Sequence, residues 1–274
     1  MQTAASLPAD DASPANRAAR RARSALERGG GLMLLLTLLG LWEVSARYWT
    51  DSANWPPLST VVIALGRGLM AGELAQAYGS SLLRMLIGYL IGGVVGVLLG
   101  MAMARSRLAH AALEPSVELL RPIPVPAIVP PLILLLGIDD ALKIFLVAFA
   151  TLFPVLINTL QGVRAVDPTL LAVARTFRVG RRRTLQQIVL PASLPYVFAG
   201  LRVSLALALI VTIVAEMIAG SAGIGYYLVS MQYAMRAADM YAGVLLIALT
   251  GYLLNAVFIA VERRVLPWYS GDAN

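Results

Sequence analysis

Three stretches carry apolar residues with no charge for the thickness of a bilayer: residues 85–104, 144–163 and 240–261. A membrane-crossing helix needs about 20 mostly apolar residues at about 1.5 Å each, so each stretch predicts a spanning helix. Residues 31–42 form a shorter apolar run that continues through Glu43 to Ala46, with Trp42, Tyr48 and Trp49 placed like interface anchors. Residues 198–218 also span, with Arg202 near the start and Glu216 near the end. Residues 115–138 are long enough, but Glu118 and Arg121 interrupt them, as do Pro115, Pro122, Pro124, Pro126, Pro130 and Pro131. Pro115 is harmless in a first helical turn, whereas the others remove backbone donors and predict an irregular span. The pattern predicts an all-α polytopic membrane protein with six transmembrane helices, the third of them broken.

The segments divide as a basic N-terminal tail (1–28), a first transmembrane helix with the start of an external loop (29–54), a transmembrane domain (55–270) and a short C-terminal tail (271–274). The tail and the apolar core after it have the outline of a secretory signal. The basic region is long, however, and Glu43 stands where a cleavage site would be sought, so a retained first helix is expected. Of the 22 basic residues, 15 fall in the N-terminal tail, the loops after spans 2 and 4, and the C-terminal end. Basic loops stay in the cytoplasm, so both termini are expected there.

Glycines recur every fourth residue in span 2, at Gly88, Gly92, Gly96 and Gly100. That spacing puts them on one face, where small residues let another helix approach closely. Irregular backbone at membrane depth must lie against protein or line an aqueous path. Pro122, Pro124 and Pro126, with Glu118 and Arg121, are therefore candidates for a translocation path or gate. Two readings stand for Glu118 and Arg121: an ion pair at the interface, or a role beside the gate. Glu216 stands alone between apolar runs, where a carboxylate is costly and turns to protein or water. It is read as a structural hydrogen-bonding group, a lining or gating group, or a subunit contact. Gly220, Gly223 and Gly225 after it read as a flexible turn.

The loop at 164–195 is the longest on the basic side. Asp167 is placed as an N-cap and Pro168 at the first position of a short helix that Gly180 ends. Arg181, Arg182 and Arg183 open a second short segment to Ile188, which Pro191 and Pro195 break before span 5. This arginine-rich surface fits either anionic lipid or a docking partner.

Composition narrows the function. Hydrophobic types make up 59% and charged residues 14% of the chain, a balance suited to lipid rather than water. There is no cysteine and only one histidine, His110, which excludes a cysteine-ligated or two-histidine metal site and a thiolate nucleophile. The net charge of +7 follows topology and anionic lipid, so no nucleic-acid partner is expected. Lys143 is the only lysine and no glycine loop precedes it, so the chain supplies no ATP-binding P-loop. No catalytic residue, metal or cofactor is assigned. Any ATP would be bound by another subunit.

The same loop carries a motif. Ile188-Val-Leu190-Pro191 matches the I-x-L-P end of the cytoplasmic signature E-A-A-x-x-x-G, nine residues, I-x-L-P. In that register Ala172, Val173 and Arg178 replace the glutamate, first alanine and glycine, and Ala174 is retained. Together with the segments at 81–92, 118–138, 143–168, 190–202 and 215–226, the chain resembles inner-membrane permeases of ATP-binding-cassette importers, in the taurine, aliphatic sulfonate and nitrate group. The resemblance implies a type I importer permease fold in the bacterial inner membrane, and a pairing with a second permease copy. It also implies two ATP-binding subunits carrying ATP and Mg, and an external substrate-binding protein, periplasmic or lipoprotein. In this reading residues 164–191 are the coupling loop, with Ala172, Val173, Ala174, Arg175, Arg178, Gly180, Arg181, Arg182, Arg183, Ile188, Leu190 and Pro191 at or beside the docking surface. Arg175 and Arg181 to Arg183 are the candidate polar contacts, and Pro191 sets the return into span 5. The expected substrate is a small anion such as a sulfonate, taurine or nitrate. An ATP-independent transporter or channel is the alternative.

Overall fold

A computed structural model describes residues 29–31, 33–49 and 53–268, and every regular element among them is helical. The tails expected at 1–28 and 271–274 lie outside the described residues. The chain divides into two compact units, residues 1–63 and 64–274, with the division inside α2 (Leu58–Ala71).

In the first unit, α1 (Gly29–Trp49) is long and apolar enough to cross a membrane. Its final residues, Ser45–Trp49, widen into a π-turn. Glu43 accepts hydrogen bonds from Arg47 Nε (2.6 Å) and from the Ser59 N–H and hydroxyl (3.0 and 2.9 Å). The acid that interrupts the apolar run is thus neutralised by its own neighbours.

The second unit is built on three long helices, α3 (Glu73–Arg105), α6 (Asp140–Arg164) and α9 (Leu190–Ala219). Their buried side chains include Met85 and Tyr89 from α3, Leu142, Leu146 and Val147 from α6, and Leu205, Ala208 and Val211 from α9. Lipid is as apolar as these residues, so close packing rather than water exclusion holds the helices together. The four glycines of the stripe, Gly88, Gly92, Gly96 and Gly100, supply that packing. A Cβ at Gly88 would lie 2.7 Å from Val147 Cβ, one at Gly96 2.8 Å from the Leu152 carbonyl, and one at Gly100 2.7 Å from the Leu156 carbonyl. A Cβ at Gly92 would overlap Thr151 Oγ1 and the Ala148 carbonyl. The partner of the whole stripe is therefore α6 of the same chain. Between α6 and α9, the Ser204 hydroxyl donates to the Thr151 carbonyl at 3.0 Å.

The expected broken span is a pair of helices, α4 (Arg107–Leu120) and α5 (Val125–Leu136), bent by 101°. Pro122 and Pro124 fall in the bend, where neither has an N–H to carry the helical hydrogen bonds onward. Pro126 sits in the first turn of α5, where a missing donor costs nothing. Pro115 instead lies inside α4 rather than in a first turn. The helix starts earlier because Ser106 is extended and its hydroxyl caps the Ala109 N–H at 3.2 Å. This also places His110 on a helix rather than in a loop.

After α6 come α7 (Pro168–Thr176), α8 (Arg181–Thr184), a π-turn at Leu185–Val189, and α9. Pro191 and Pro195 do not break the approach to span 5, and Pro191 sets no separate return. Residues from Arg181 to Ala219 run as one helical span. The widened π-turn immediately before Pro191 relaxes the backbone where its ring must fit. Helices α10 (Ile224–Tyr233) and α11 (Ala237–Val265) complete the unit. Helix α11 exposes Leu249, Tyr252, Leu253 and Val257, the surface a lipid-facing helix requires.

Candidate functional site

Two groups of candidate side chains lie toward opposite ends of α3. The first surrounds Glu216. This carboxylate is 0% exposed and accepts from the Ser81 hydroxyl (2.6 Å to Oε2), Arg84 Nη1 (2.9 Å to Oε1) and the Gly225 N–H (3.1 Å to Oε2). Ser81 Oγ in turn accepts from the Ile224 N–H at 2.7 Å. Arg84 Nε donates to Asp140 Oδ1 at 2.7 Å, and Lys143 Nζ lies 3.9 Å from the same oxygen. Two cations and two carboxylates thus balance, which is what permits Glu216, Arg84 and Lys143 to be buried.

The backbone after α9 is shaped to this carboxylate and is not a loose turn. Gly223 has φ +109°, and a Cβ there would overlap the Glu216 carboxylate. A Cβ at Gly225 would lie 2.8 Å from Glu216 Cβ. A cavity of about 620 Å³ adjoins the network, lined by Glu73, Gln76, Ser80, Arg84, Tyr226 and Ser230 among others. Of this group, sequence reading singled out only Glu216. Arg84 escaped because the apolar run after it starts at Met85, whereas α3 begins at Glu73 and makes Arg84 an interior residue. The i, i+3 spacing of Ser81 and Arg84 ahead of that run was the available signal.

Glu118 and Arg121 are not part of this group. Both line a smaller cavity, about 120 Å³, with His110, Glu114 and Met103. Met103 is 19 residues beyond Arg84 along α3, or about 28 Å at 1.5 Å per residue, so a bilayer thickness separates the two groups. Glu118 and Arg121 form no ion pair with each other, while His110 Nε2 lies 3.2 Å from Glu114. Glu118, Arg121, Pro122, Pro124 and Pro126 are all exposed in the single chain.

The second group is the 164–191 loop. Asp167 caps α7 by accepting from the Thr169 N–H at 2.8 Å, and that bond holds its carboxyl below the usual carboxylate range. Gly180 does not end the helix. The end is a Schellman arrangement in which Val179 N–H donates to Ala174 O (2.9 Å) and Arg178 N–H to Arg175 O (3.0 Å). Arg178 takes the left-handed position at φ +53°, and Gly180 is the extended N-cap of α8. The position where the importer signature has glycine is therefore the one whose backbone favours glycine.

Helix α7 has two faces. Leu170, Val173 and Phe177, at i, i+3 and i+7, are 48%, 47% and 77% exposed. Leu171, Ala174 and Arg175 turn the other way, into a cavity of about 510 Å³ against the ends of α3 and α6. Arg181 lines that cavity too. Ala172, Arg182 and Arg183 are exposed, and Ile188, Leu190 and Pro191 are half-buried. Leu170 and Phe177 were missed by sequence reading because the motif register starts at Ala172. The remaining clue was their helical spacing from Val173.

Comparison with known proteins gives this arrangement its context. Residues 92–271 match the family described as binding-protein-dependent transport system inner membrane component. The chain belongs to that family. It is a permease subunit of an importer. The permease is 31% identical to a Bacillus subtilis protein assigned as an aliphatic sulfonates transport permease, across 97% of this chain and 96% of the relative. It is 30% identical to the taurine transport system permease protein of Escherichia coli, across 88% of each. Its fold matches a chain of an inward-facing methionine ABC transporter with a TM-score of 0.60 at 18% identity, covering 72% of the permease and 97% of that chain. Among the described residues no group of three or more His, Cys, Asp or Glu could hold a metal ion.

Proposed function

We propose that this permease imports a small organic oxyanion, of which alkanesulfonates are the leading class, across a bacterial inner membrane. Both termini lie in the cytoplasm, the Glu216 network lies at the external end, and the 164–191 loop lies at the cytoplasmic end. A second copy completes the path, two ATP-binding subunits with ATP and Mg drive it, and an external binding protein delivers the solute. The sulfonate and taurine assignments of the two relatives support the substrate class.

The observation that carries the coupling role is the exposed apolar face of α7. Leu170, Val173 and Phe177 form a ridge on a helix capped at both ends, set where α6 leaves the bilayer. A ridge of that kind fits a groove on an ATPase and passes its closure to α6 and α9. Arg175 and Arg181 line the cavity on the inner side of α7, so the docking energy is apolar first. The test is uptake of labelled taurine and methanesulfonate into proteoliposomes holding the complex that copurifies with the chain. ATP-dependent uptake that Phe177→Asp abolishes, together with loss of the ATPase from the complex, is the expected outcome. Uptake that persists without hydrolysable ATP would favour the ATP-independent alternative.

A further inference from the structure

We propose that the cavity behind α7 is a binding site for one anionic phospholipid headgroup. Its polar lining is Arg105 from the last residue of α3, Arg175 from α7, and Arg181 and Thr184 from α8. No carboxylate lines it. None of the three guanidinium groups makes a hydrogen bond or ion pair with the described residues. The acid nearest in sequence, Asp167, is committed to capping α7. Three uncompensated cations around about 510 Å³ of space call for an anion, and guanidinium forks suit phosphate oxygens.

The rest of the lining identifies which kind of anion. Ala104, Val163, Leu171, Val179, Leu185 and Val189 are all aliphatic. A soluble phosphate gains nothing from them, whereas the glycerol and the first carbons of an acyl chain do. The cavity also sits at the right depth. Arg105 ends α3 and Val163 is the penultimate residue of α6, so it opens where two spans reach the headgroup layer. A lipid held there joins three pieces of the chain that few protein hydrogen bonds tie together: the end of α3, the inner face of α7, and the start of the continuous 181–219 helix. The occupied site props α7 at a fixed height above the bilayer while leaving Leu170, Val173 and Phe177 outward. This assignment does not depend on which solute is transported.

The test is native mass spectrometry of the full chain, with the subunits that copurify, released from nanodiscs of mixed phosphatidylglycerol and phosphatidylcholine. We expect one phosphatidylglycerol per chain to survive activation that strips phosphatidylcholine. Combining Arg105→Gln with Arg181→Gln lowers that retention by roughly thirtyfold, as loss of two interfacial cations should. Combining Arg263→Gln with Arg264→Gln, the same charge change at the end of α11, leaves it unaltered. Equal retention of the two lipids by the unmodified chain, or an equal loss in the variant lacking Arg263 and Arg264, would overturn the proposal. So would displacement of the lipid by sn-glycerol 3-phosphate at matched concentration, which would make the cavity a site for a soluble phosphate. Unchanged lipid retention with loss of the copurifying ATPase would make the arginines a protein-docking surface instead.

Discussion

The Ser81 hydroxyl on α3 sits 2.6 Å from a Glu216 carboxylate oxygen on α9 while accepting from the Ile224 N–H at 2.7 Å. One oxygen atom thus joins two long helices to the backbone that leads into α10. Ser81→Ala leaves that N–H unpaired and takes a donor from a carboxylate that is 0% exposed. Leaving a buried donor unsatisfied costs about 1–3 kcal/mol. Thermal unfolding in nanodiscs should show a loss of that order. Glu216→Ala, which takes the buried carboxylate from Arg84 Nη1 and leaves Asp140 as the only acid paired with Arg84, should cost more, about 3–5 kcal/mol. Equal stability of Ser81→Ala and the parent would dismiss the bond as incidental.

The glycine stripe of α3 makes a contrast within one chain. Gly92→Ala must push apart α3 and α6, since its Cβ overlaps Thr151 Oγ1 and the Ala148 carbonyl. Overpacking of this kind costs about 1–3 kcal/mol. Gly66, inside α2, has nothing within 4 Å of its notional Cβ. Gly66→Ala should therefore be neutral or gain up to about 1 kcal/mol of helix propensity. The two variants, compared by the same unfolding assay, should move in opposite directions.

Arg178 occupies a left-handed backbone conformation at φ +53° to close α7. Residues with a Cβ pay about 1–2 kcal/mol there, and glycine does not. Arg178→Gly should raise the hydrogen-exchange protection of the Val179 amide, which donates to Ala174 O. Arg178→Ala should give no such gain. A gain from alanine equal to that from glycine would locate the effect in the lost charge rather than the backbone.

Acid should loosen the start of α7. The Thr169 N–H bond holds the Asp167 carboxyl below its usual value. A carboxyl with a depressed folded pKa contributes stability that is fully present above its unfolded pKa and is lost as pH falls through the folded one. The protection factor of the Thr169 amide, corrected for intrinsic exchange, should drop through the acidic side of the carboxylate range. Asp167→Asn should flatten that dependence, because an amide oxygen still caps but does not titrate. A pH profile unchanged in Asp167→Asn would assign the transition to another group.

Each element legible in the sequence has a local cause. The uncharged runs at 85–104, 144–163 and 240–261 lie within α3, α6 and α11 because lipid demands apolar side chains and internal hydrogen bonds over a fixed length. The bend between α4 and α5 follows from Pro122 and Pro124, and the start of α7 from Asp167 and Pro168. These causes act within a few residues, so neighbours along the chain suffice to read them.

The tertiary structure decided what depends on partners distant in sequence. Glu216 was visible as an isolated acid, but its neutralisation comes from Arg84 and Ser81, more than 130 residues away, and from the close approach that Gly223 and Gly225 allow. The four-residue glycine repeat announced a packing face, and only the folded bundle names α6 as its occupant. Pro191 and Pro195 look like helix breakers locally, yet the π-turn before them carries the helix through. Arginine marks a basic loop in the sequence. Which arginines face outward and which line the cavity behind α7 is set by the rotation of one short helix, and its Schellman end and the spans beneath it fix that rotation.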